Sequence, residues 1–291
     1  MDKPMKGVDC LGHLDKVVYP KYLQPKYDGI RIIFEDGIAW SASLKPLRNK
    51  KIQEFAAYMP DGLECEYYLS NESGGLRRCA SVCNSENGNL PDEGKMYAFD
   101  LRNIPLVYSQ RLLLLAEAVD SLKYLPIEVA PTIKVGSGSE VEAELLKLLE
   151  GGYEGAMLKE PNAMYKNGRS TLKSQECLKL KPFVDDEGYV IAYKYEQENT
   201  NEAFTNELGN TARSSSQLGK FDKPLIGALQ LQCPHFSQPF WVSGFSADLK
   251  ALMYAHRDEL IGRIVTFKYQ PCEVYDRPRH PIFRRFRPIG E

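Results

Sequence analysis

The sequence predicts an α+β protein with two domains, residues 1–184 and residues 185–291. Three observations support this prediction. Alternating apolar runs dominate the first hundred residues, two later stretches have helical spacing, and a change of composition at residues 182–188 precedes a series of short strand-like runs. A chain of 291 residues is long enough for two domains or one large one, with a buried core.

The strands of the first domain are predicted from period-two alternation and from turn residues. Residues 30–35 and 38–43 flank Asp36 and Gly37, and an Asp-Gly pair between alternating runs is a strong hairpin signal. Further strands are predicted at residues 63–69, 96–101, 127–135, 155–160 and 176–181, and helices at residues 109–124 and 139–150. Residues 70–95 are rich in Ser, Asn and Gly, which predicts a mobile loop.

The second domain is predicted to be small and rich in β-structure. Its one helix is expected at residues 246–260, and a polar loop at residues 197–223. Strand-like runs occur at residues 189–196, 228–233, 239–244, 264–269 and 283–287. Five short strands with one helix are typical of a small closed barrel.

The charge of the chain is nearly balanced overall but uneven along the sequence. A net charge of −2 does not by itself favour a nucleic-acid partner, since phosphate contacts dominate such binding. Residues 277–287, however, contain five arginines and no acid, and residues 166–181 contain five basic residues against Glu176. Local basic patches of this kind can steer DNA, although solvated surface faces would have the same composition.

Cysteine usage and hydropathy indicate an intracellular, non-membrane protein. The seven cysteines form no C-x-x-C pair, and no histidine lies near Cys79 and Cys83, so we predict reduced thiols rather than disulfides or a zinc site there. Residues 1–16 lack the apolar run of a signal peptide, and no stretch approaches the length of a membrane span. We therefore expect a cytoplasmic protein.

The element K-x-D-G-x-R at residues 26–31 is the most informative motif. Four fixed positions in six occur by chance in roughly one in five hundred chains of this size. We expect Lys26 where a loop enters a strand, with Gly29 providing positive φ in the turn. A lysine amine has a reference pKa of about 10.4 and becomes a covalent nucleophile only where cations or burial lower it. The competing interpretation is a surface hairpin with a solvated lysine and arginine.

Four further segments follow this element in order. They are residues 63–68 (LECEYY), 96–101 (MYAFDL), 154–159 (EGAMLK) and 178–182 (LKLKP). The complete set resembles the nucleotidyltransferase motifs of ATP-dependent DNA ligases, which share a superfamily with RNA ligases and messenger-RNA capping enzymes. Residues 159–168 and 279–283 are most similar to the small bacteriophage-type ligases. The resemblance covers nearly the whole chain.

The resemblance implies both a fold and an activity. The fold would be an antiparallel-sheet nucleotidyltransferase (ATP-grasp-like) domain, a hinge at residues 182–188 and a small β-barrel OB-fold domain. The activity would be the sealing of 5′-phosphate/3′-hydroxyl nicks in duplex DNA, with ATP and Mg²⁺ as cofactors. The enzyme would act as a monomer in DNA replication, repair or recombination, in a bacterial or phage-infected cytosol. An RNA ligase, a GTP-dependent capping-type enzyme and a non-catalytic nucleic-acid-binding relative are the alternatives.

The resemblance also implies a role for individual residues. Lys26 would be the nucleophile that becomes lysyl-AMP, and Glu154 a metal-associated carboxylate. Glu66 matches the glutamate that binds ribose, with Glu64 on the same strand face as its rival. Phe99 matches the aromatic that stacks on adenine, although a lone Phe in a strand is usually a core residue.

The other nucleotide-binding residues implied are basic or carry an amide. Lys179 and Lys181 are two apart on a strand and would point to one face, towards the adenylate phosphate. The full set of these residues is Gln24, Arg31, Arg48, Lys179, Lys181, Arg285 and Arg287.

Two positions depart from the ligase pattern. Ala42 stands where, in the ligase pattern, an arginine commonly follows a serine. Three explanations are open: Arg48 makes the phosphate contact instead, the activity is weakened, or the position is an engineered substitution. The C-terminal Asp-Lys element is missing, and Arg285 and Arg287 are the candidates to orient pyrophosphate in its place.

Overall fold

The chain divides into two units, Met1–Lys181 and Pro182–Glu291. The computed structural model describes residues 1–70, 75–270 and 277–288. The predicted hinge at residues 182–188 lies largely within regular structure, because a long strand of the second unit already begins at Val184. Each unit has its own buried core.

The described part of the first unit contains two five-stranded sheets. Their strands are β1 Val8–Asp9, β2 Lys21–Lys26, β3 Ile30–Glu35, β4 Ile38–Ser41, β5 Leu63–Tyr68, β6 Lys95–Leu101, β7 Ile127–Val129, β8 Ile133–Val135, β9 Gly155–Lys159 and β10 Cys177–Leu180. One sheet has the order β1-β10-β9-β2-β8 and the other β4-β3-β5-β6-β7. The pairs β1–β10 and β6–β7 are parallel, so the sheets are mixed and the prediction of a purely antiparallel sheet was wrong.

The β3–β4 hairpin confirms the strongest local prediction. Glu35 pairs with Ile38 across a turn in which Asp36 and Gly37 both have positive φ, 54° and 69°. Asp and Gly are among the residues that favour this geometry at a two-residue turn, so the local sequence is sufficient to set the hairpin.

The helices are α1 Lys50–Ala56, α2 Gly75–Asn84, α3 Tyr108–Asp120, α4 Gly138–Glu150 and, in the second unit, α5 Ala247–Ala255. Short 3-10 turns occur at Leu14–Lys16, Gln217–Gly219 and Arg257–Glu259. Helix α1 begins where the side chain of Asn49 accepts a hydrogen bond of 3.1 Å from the amide of Ile52, and Ser137 caps α4 in the same way.

Two predictions for this unit fail against the structure. Residues 70–95 are not wholly a loop, because α2 buries Cys79, Val82 and Cys83 against the sheet. That stripe has helical spacing, but the surrounding polar residues obscured it. The single strand predicted at residues 127–135 is instead two strands, β7 and β8, which belong to different sheets.

The second unit is built around one five-stranded sheet in its described part. The described part of this unit has seven strands, five of them in this sheet: β11 Val184–Asn199, β12 Ala203–Thr205, β13 Thr211–Arg213, β14 Lys220–Gln232, β15 Phe240–Val242, β16 Ile264–Gln270 and β17 Arg279–Phe286. The sheet order is β15-β14-β11-β16-β17, and β12 and β13 form a separate hairpin inside the predicted polar loop. One parallel bridge, Ser243 to Ile282, links the two edges of the sheet. Among the described residues the ladder does not close into the continuous barrel that we predicted.

Two tryptophans occupy different surroundings in the two units. Trp40 lies in β4 and donates a hydrogen bond of 3.1 Å from Nε1 to the carbonyl oxygen of Glu35. Trp241 lies in β15, where the Nζ of Lys194 lies 4.7 Å from its ring centroid.

In the described ranges, no helix has both the length and the apolar character needed to cross a membrane.

Candidate active site

A cavity of about 270 Å³ in the first unit collects most of the residues that the motifs identified. Strands of both sheets contribute to its walls. Six of the predicted site residues line it, namely Gln24, Lys26, Arg31, Glu66, Phe99 and Lys179. Long-range strand pairing therefore gathers segments that are far apart in the sequence around one volume.

Lys26 is the last residue of β2, whereas we expected it where a loop enters a strand. Its backbone pairs with Gly155 of β9, and its carbonyl oxygen accepts a hydrogen bond of 3.0 Å from the amide of Glu154. Strand pairing on both sides of the motif thus holds the lysine backbone at the cavity.

The two glycines beside Lys26 are required for close approach of backbones. The chain bends at Asp28 and Gly29 as predicted, but the φ of Gly29 is not positive; glycine is needed there because a Cβ would lie 2.2 Å from the carbonyl oxygen of Tyr67. Gly155 has a φ of 149°, and a Cβ there would lie 2.0 Å from the carbonyl oxygen of Leu180. This contact brings Glu154, which precedes Gly155, next to Lys181, which follows Leu180.

The Glu154 carboxylate connects two of the predicted lysines. One oxygen pairs with Nζ of Lys26 and the other with Nζ of Lys181. Burial acts to raise the pKa of Glu154, but the charges and hydrogen bonds of the two lysines outweigh burial, so this pKa lies below its usual value. The three side chains form one charged group with a net positive charge at the edge of the cavity.

The structure distinguishes Glu66 from Glu64. Glu64 is fully buried, and its carboxylate accepts hydrogen bonds of 2.6 Å from Arg31 and 2.9 Å from the hydroxyl of Tyr165. Glu66 lines the cavity instead. Burial raises the pKa of Glu66 to about 7, although the charges of Lys26 and Arg31 act in the opposite direction. Glu66 is therefore the carboxylate that a ligand in the cavity would meet.

Phe99 and the cations around it form a second wall of the cavity. Cζ of Arg31 lies 5.2 Å from the ring centroid of Phe99, and Nζ of Lys159 lies 5.4 Å from it. Phe99 is partly exposed, whereas its neighbours Ala98 and Asp100 are buried. Its ring is thus held by cation–π contacts and offers an apolar surface to the cavity.

Gln24, Lys179 of β10 and Lys181 just after the end of that strand are three further predicted residues in this unit. Gln24 is buried and donates a hydrogen bond of 2.9 Å to the hydroxyl of Thr132. Lys179 lines the cavity, and Lys181 reaches Glu154 with only 12% of its side chain exposed. The spacing of two residues places both lysines on the side of the strand that faces this site.

The other three predicted residues are arginines, one in the first unit and two in the second. Arg48 is exposed and does not line the cavity, nor does Ala42. Arg285 and Arg287 belong to the second unit, where Arg285 is exposed and Nε of Arg287 lies 3.3 Å from Glu187. Their assignment to the nucleotide stays a prediction.

Several cavity residues were missed by the sequence reasoning. Lys159 is buried and shares a strand face with Met157, so alternation within residues 154–159 was the available signal. Lys6 and Arg169 line the cavity because the N-terminal segment pairs with distant parts of the chain, including a bridge between these two residues. No local pattern predicts that pairing.

A magnesium site is not preformed around Glu154. Both of its oxygens face ammonium groups. In the described ranges, the one cluster of three possible metal ligands lies elsewhere, at Asp186, Cys233 and His235. The residues present thus fit a nucleotide with its phosphates better than they fit a protein-held cation.

The fold is similar to that of solved DNA ligases. A Lig E DNA ligase described as a minimal scaffold for DNA binding aligns with a TM-score of 0.76 and 22% identity over 99% of this chain and 100% of that chain. Chlorella virus DNA ligase-adenylate aligns with a TM-score of 0.56 and 23% identity, covering 100% and 99%. A further structure, Pmar-Lig, aligns with a TM-score of 0.75 and 19% identity, covering 98% of this chain and 67% of that chain.

At these identities the likeness shows the fold, which both units share with ligases of comparable length. No protein-family model matches the chain, and no curated protein matches it.

Proposed function

We propose that the chain is an ATP-dependent DNA ligase that seals 5′-phosphate/3′-hydroxyl nicks in duplex DNA. One observation carries the proposal. The lysine of the K-x-D-G-x-R element stands at a cavity lined by Glu66, Phe99 and Lys179, and Glu154 links it to Lys181. The ligase fold supports the assignment of this cavity to a nucleotide.

The first step would be attack of Nζ of Lys26 on the α-phosphorus of ATP. The Lys26 ammonium first releases a proton to solvent; the amine then forms a nitrogen–phosphorus bond, and the oxygen–phosphorus bond to pyrophosphate breaks as pyrophosphate leaves. Glu154 accepts a hydrogen bond from this Nζ and so orients it. Lys179 and Lys181 supply the positive charge that stabilises the developing charge on phosphate, which is the main contribution of a protein to such a transfer.

The remaining cavity residues would select and hold the adenosine. Phe99 offers a ring face for adenine, and Glu66 offers carboxylate oxygens for the ribose hydroxyls. Mg²⁺ is proposed as a partner of the ATP phosphates, because this ion usually binds through phosphates together with one or two carboxylates. No step above depends on a metal held by the protein alone.

Two later transfers complete the proposed reaction. The 5′-phosphate of the nick would attack the phosphorus of lysyl-AMP, which frees Lys26 and forms the DNA-adenylate. The 3′-hydroxyl would then attack the 5′-phosphate, and AMP leaves. The second unit, proposed as an OB-fold domain beginning near residue 185, would contact DNA through its basic strand β17, and we propose a monomer acting in a bacterial or phage-infected cytosol.

The proposal is tested by incubating the purified chain with α-labelled ATP and Mg²⁺, followed by denaturing electrophoresis. We expect a labelled chain from the parent and a loss of at least about 1,000-fold for Lys26→Ala, because the nucleophile is gone. Lys134→Ala removes an exposed lysine of β8 and serves as the matched control. Normal labelling of the Lys26→Ala chain would contradict the assignment.

The same variant separates chemistry from DNA binding. Lys26→Ala should still seal a nick that has been adenylated chemically, because the last transfer does not use the nucleophile.

Parallel reactions of the parent chain separate the alternatives. Labelling by GTP instead of ATP would indicate a capping-type enzyme, and sealing of nicked RNA instead of nicked DNA would indicate an RNA ligase.

A further inference from the structure

A thiol, an imidazole and a carboxylate meet in the second unit, within a region to which the proposed reaction assigns no role. Asp186 lies on β11, and Cys233 and His235 lie just beyond the end of β14. Oδ2 of Asp186 is 2.9 Å from Nδ1 of His235 and 3.5 Å from Sγ of Cys233. One ligand atom from each residue lies within 4.8 Å of the other two.

The backbone holds the thiol and the imidazole at a defined spacing. Residues 233–236 form a turn in which the amide of Phe236 donates a hydrogen bond of 3.2 Å to the carbonyl oxygen of Cys233. Pro234 occupies the second position of this turn, where its fixed φ is favourable. Nε2 of Gln232 donates to the carbonyl oxygen of Phe236 at 3.0 Å, which ties the turn to the end of β14.

The carboxylate reaches this turn because two strands approach closely. Gly188 lies on β11, and a Cβ on it would be 2.9 Å from the carbonyl oxygen of Gln232. The absence of a side chain therefore permits contact between the start of β11 and the end of β14. Asp186, two residues before Gly188, is carried to the turn by this approach.

The separations resemble those between ligands of a tetrahedral metal. Metal–nitrogen and metal–oxygen bonds of about 2.0 Å and a metal–sulfur bond of about 2.3 Å give edges of about 3.3 Å between N and O and about 3.5 Å between S and O. The observed 2.9 Å and 3.5 Å are close to these edges. The third separation, between the thiol sulfur and the imidazole nitrogen, is within 4.8 Å and would become about 3.5 Å around a tetrahedral cation.

We propose that Asp186, Cys233 and His235 form a binding site for a borderline divalent cation, for which Zn²⁺ is the best match. Zn²⁺ accepts sulfur, nitrogen and oxygen ligands together, whereas Mg²⁺ and Ca²⁺ prefer oxygen alone. Water would occupy the fourth position, since 72% of the His235 side chain is exposed. The site lies wholly in the second unit and does not depend on the proposed ligase activity.

Binding would follow a simple balance of protons and bonds. The Cys233 thiol releases its proton to solvent as the sulfur–metal bond forms, and His235 coordinates through Nδ1 with its proton on Nε2. Oδ2 of Asp186 exchanges its hydrogen bonds with Cys233 and His235 for a bond to the metal. The cation would then link the start of β11 to the turn between β14 and β15.

The test uses the full chain after treatment with EDTA and desalting. Co²⁺ is titrated as a spectroscopic probe, and Zn²⁺ is then added to displace it. We expect one Co²⁺ per chain with a thiolate charge-transfer band and the visible bands of a four-coordinate ion, both of which disappear on addition of Zn²⁺. Absence of the charge-transfer band in the parent chain would overturn the proposal.

Two ligand variants and one control assign the signal to this cluster. Cys233→Ser should remove the charge-transfer band. His235→Gln should weaken Zn²⁺ binding by more than about 100-fold, since even outer partners of metal ligands contribute about 10–100-fold. His235 is exposed, so this variant tests binding without disturbing a core, and circular dichroism checks its fold. The control His256→Gln, at another exposed histidine, should bind Zn²⁺ with the affinity of the parent. Equal Zn²⁺ affinities of His235→Gln and the parent would overturn the proposed site.

Discussion

Ion pairs occur both at the cavity of the first unit and on strand β17 of the second, but their surroundings are opposite. The side chains of Lys26, Glu154 and Lys181 are only 24%, 9% and 12% exposed. In the second unit, Arg284 and Asp185 are 50% and 56% exposed at a separation of 3.4 Å. The same charge types are thus largely desolvated at the cavity and solvated on β17.

This difference predicts which measurements each region controls. Removal of one partner of a buried pair leaves an uncompensated charge and has a large cost, whereas exposed pairs contribute little. Cavity substitutions should therefore change the chemical step and the stability of the first unit. Substitutions on β17 should change DNA affinity and its dependence on salt.

The largest effect in this comparison is expected for Lys181. Lys181→Ala should reduce the rate of adenylation by about 100- to 1,000-fold, because it removes charge near the α-phosphate and the ion pair between Lys181 and Glu154. Lys181→Arg keeps the charge and should lose much less. The measurement is single-turnover formation of the labelled adduct.

An exposed ion pair provides the control for that experiment. Lys147 pairs with Glu144 at 2.6 Å while 67% exposed, so Lys147→Ala should adenylate at the parent rate. If the alanine variants at Lys181 and Lys147 were equally active, the distinction between the two kinds of ion pair would fail.

A smaller effect is expected for the stability of the first unit as a function of pH. The pKa of Glu66 is about 7 in the folded chain against an ordinary value of 4.5. The folded chain therefore binds more protons than the unfolded chain between these values, and its stability falls as the pH rises through this window. Above about pH 7 the loss is complete.

Glu66→Gln removes this ionisation. A pKa of about 7 against 4.5 predicts that the variant is more stable than the parent by about 3 kcal/mol at pH 8 and by less than about 1 kcal/mol at pH 5. Urea unfolding at the two pH values measures it, and Glu117→Gln at an exposed position of α3 is the control. A difference that did not change with pH would show that Glu66 is not desolvated, although loss of ATP binding by Glu66→Gln would still be expected.

The smallest effect is expected on β17. The double variant Arg285→Ala/Arg287→Ala should bind a nicked duplex a few-fold more weakly, with a slope of log K against log salt that is shallower by about 0.9 for each lost phosphate contact. Lys123→Ala, at an exposed pair of the first unit, is the control. Identical slopes for the parent and the double variant would show that these arginines do not contact DNA.

The fold was predictable where the signal is local. The β3–β4 hairpin follows from Asp36-Gly37, and α4 follows from its Ser137 cap and apolar spacing. Helix α2 and the β12–β13 hairpin were missed because their polar residues dominate the pattern. The pairing of β1 with β10 joins residues about 170 positions apart and leaves no local signal.

The site shows the same division between local and distant causes. Alternation places Glu64 and Glu66 on one face of β5 and cannot distinguish them. The difference arises from Tyr165, 101 residues away, and from Arg31, which together bind Glu64 and leave Glu66 at the cavity. Arg48 was assigned by motif position alone; it is exposed and is not among the residues that line the cavity, so its role stays a prediction.

The separation of the two tryptophans, one in β4 and one in β15, gives each unit its own fluorophore. The chain has two tryptophans in total, so with excitation selective for tryptophan a Trp241→Phe chain reports on the first unit alone and a Trp40→Phe chain on the second. Coincident denaturation curves from the two chains would indicate a single cooperative transition, and displaced curves would give the separate melting order of the units. A pair of conservative substitutions thus turns the intrinsic emission of the protein into a readout of how its two halves unfold.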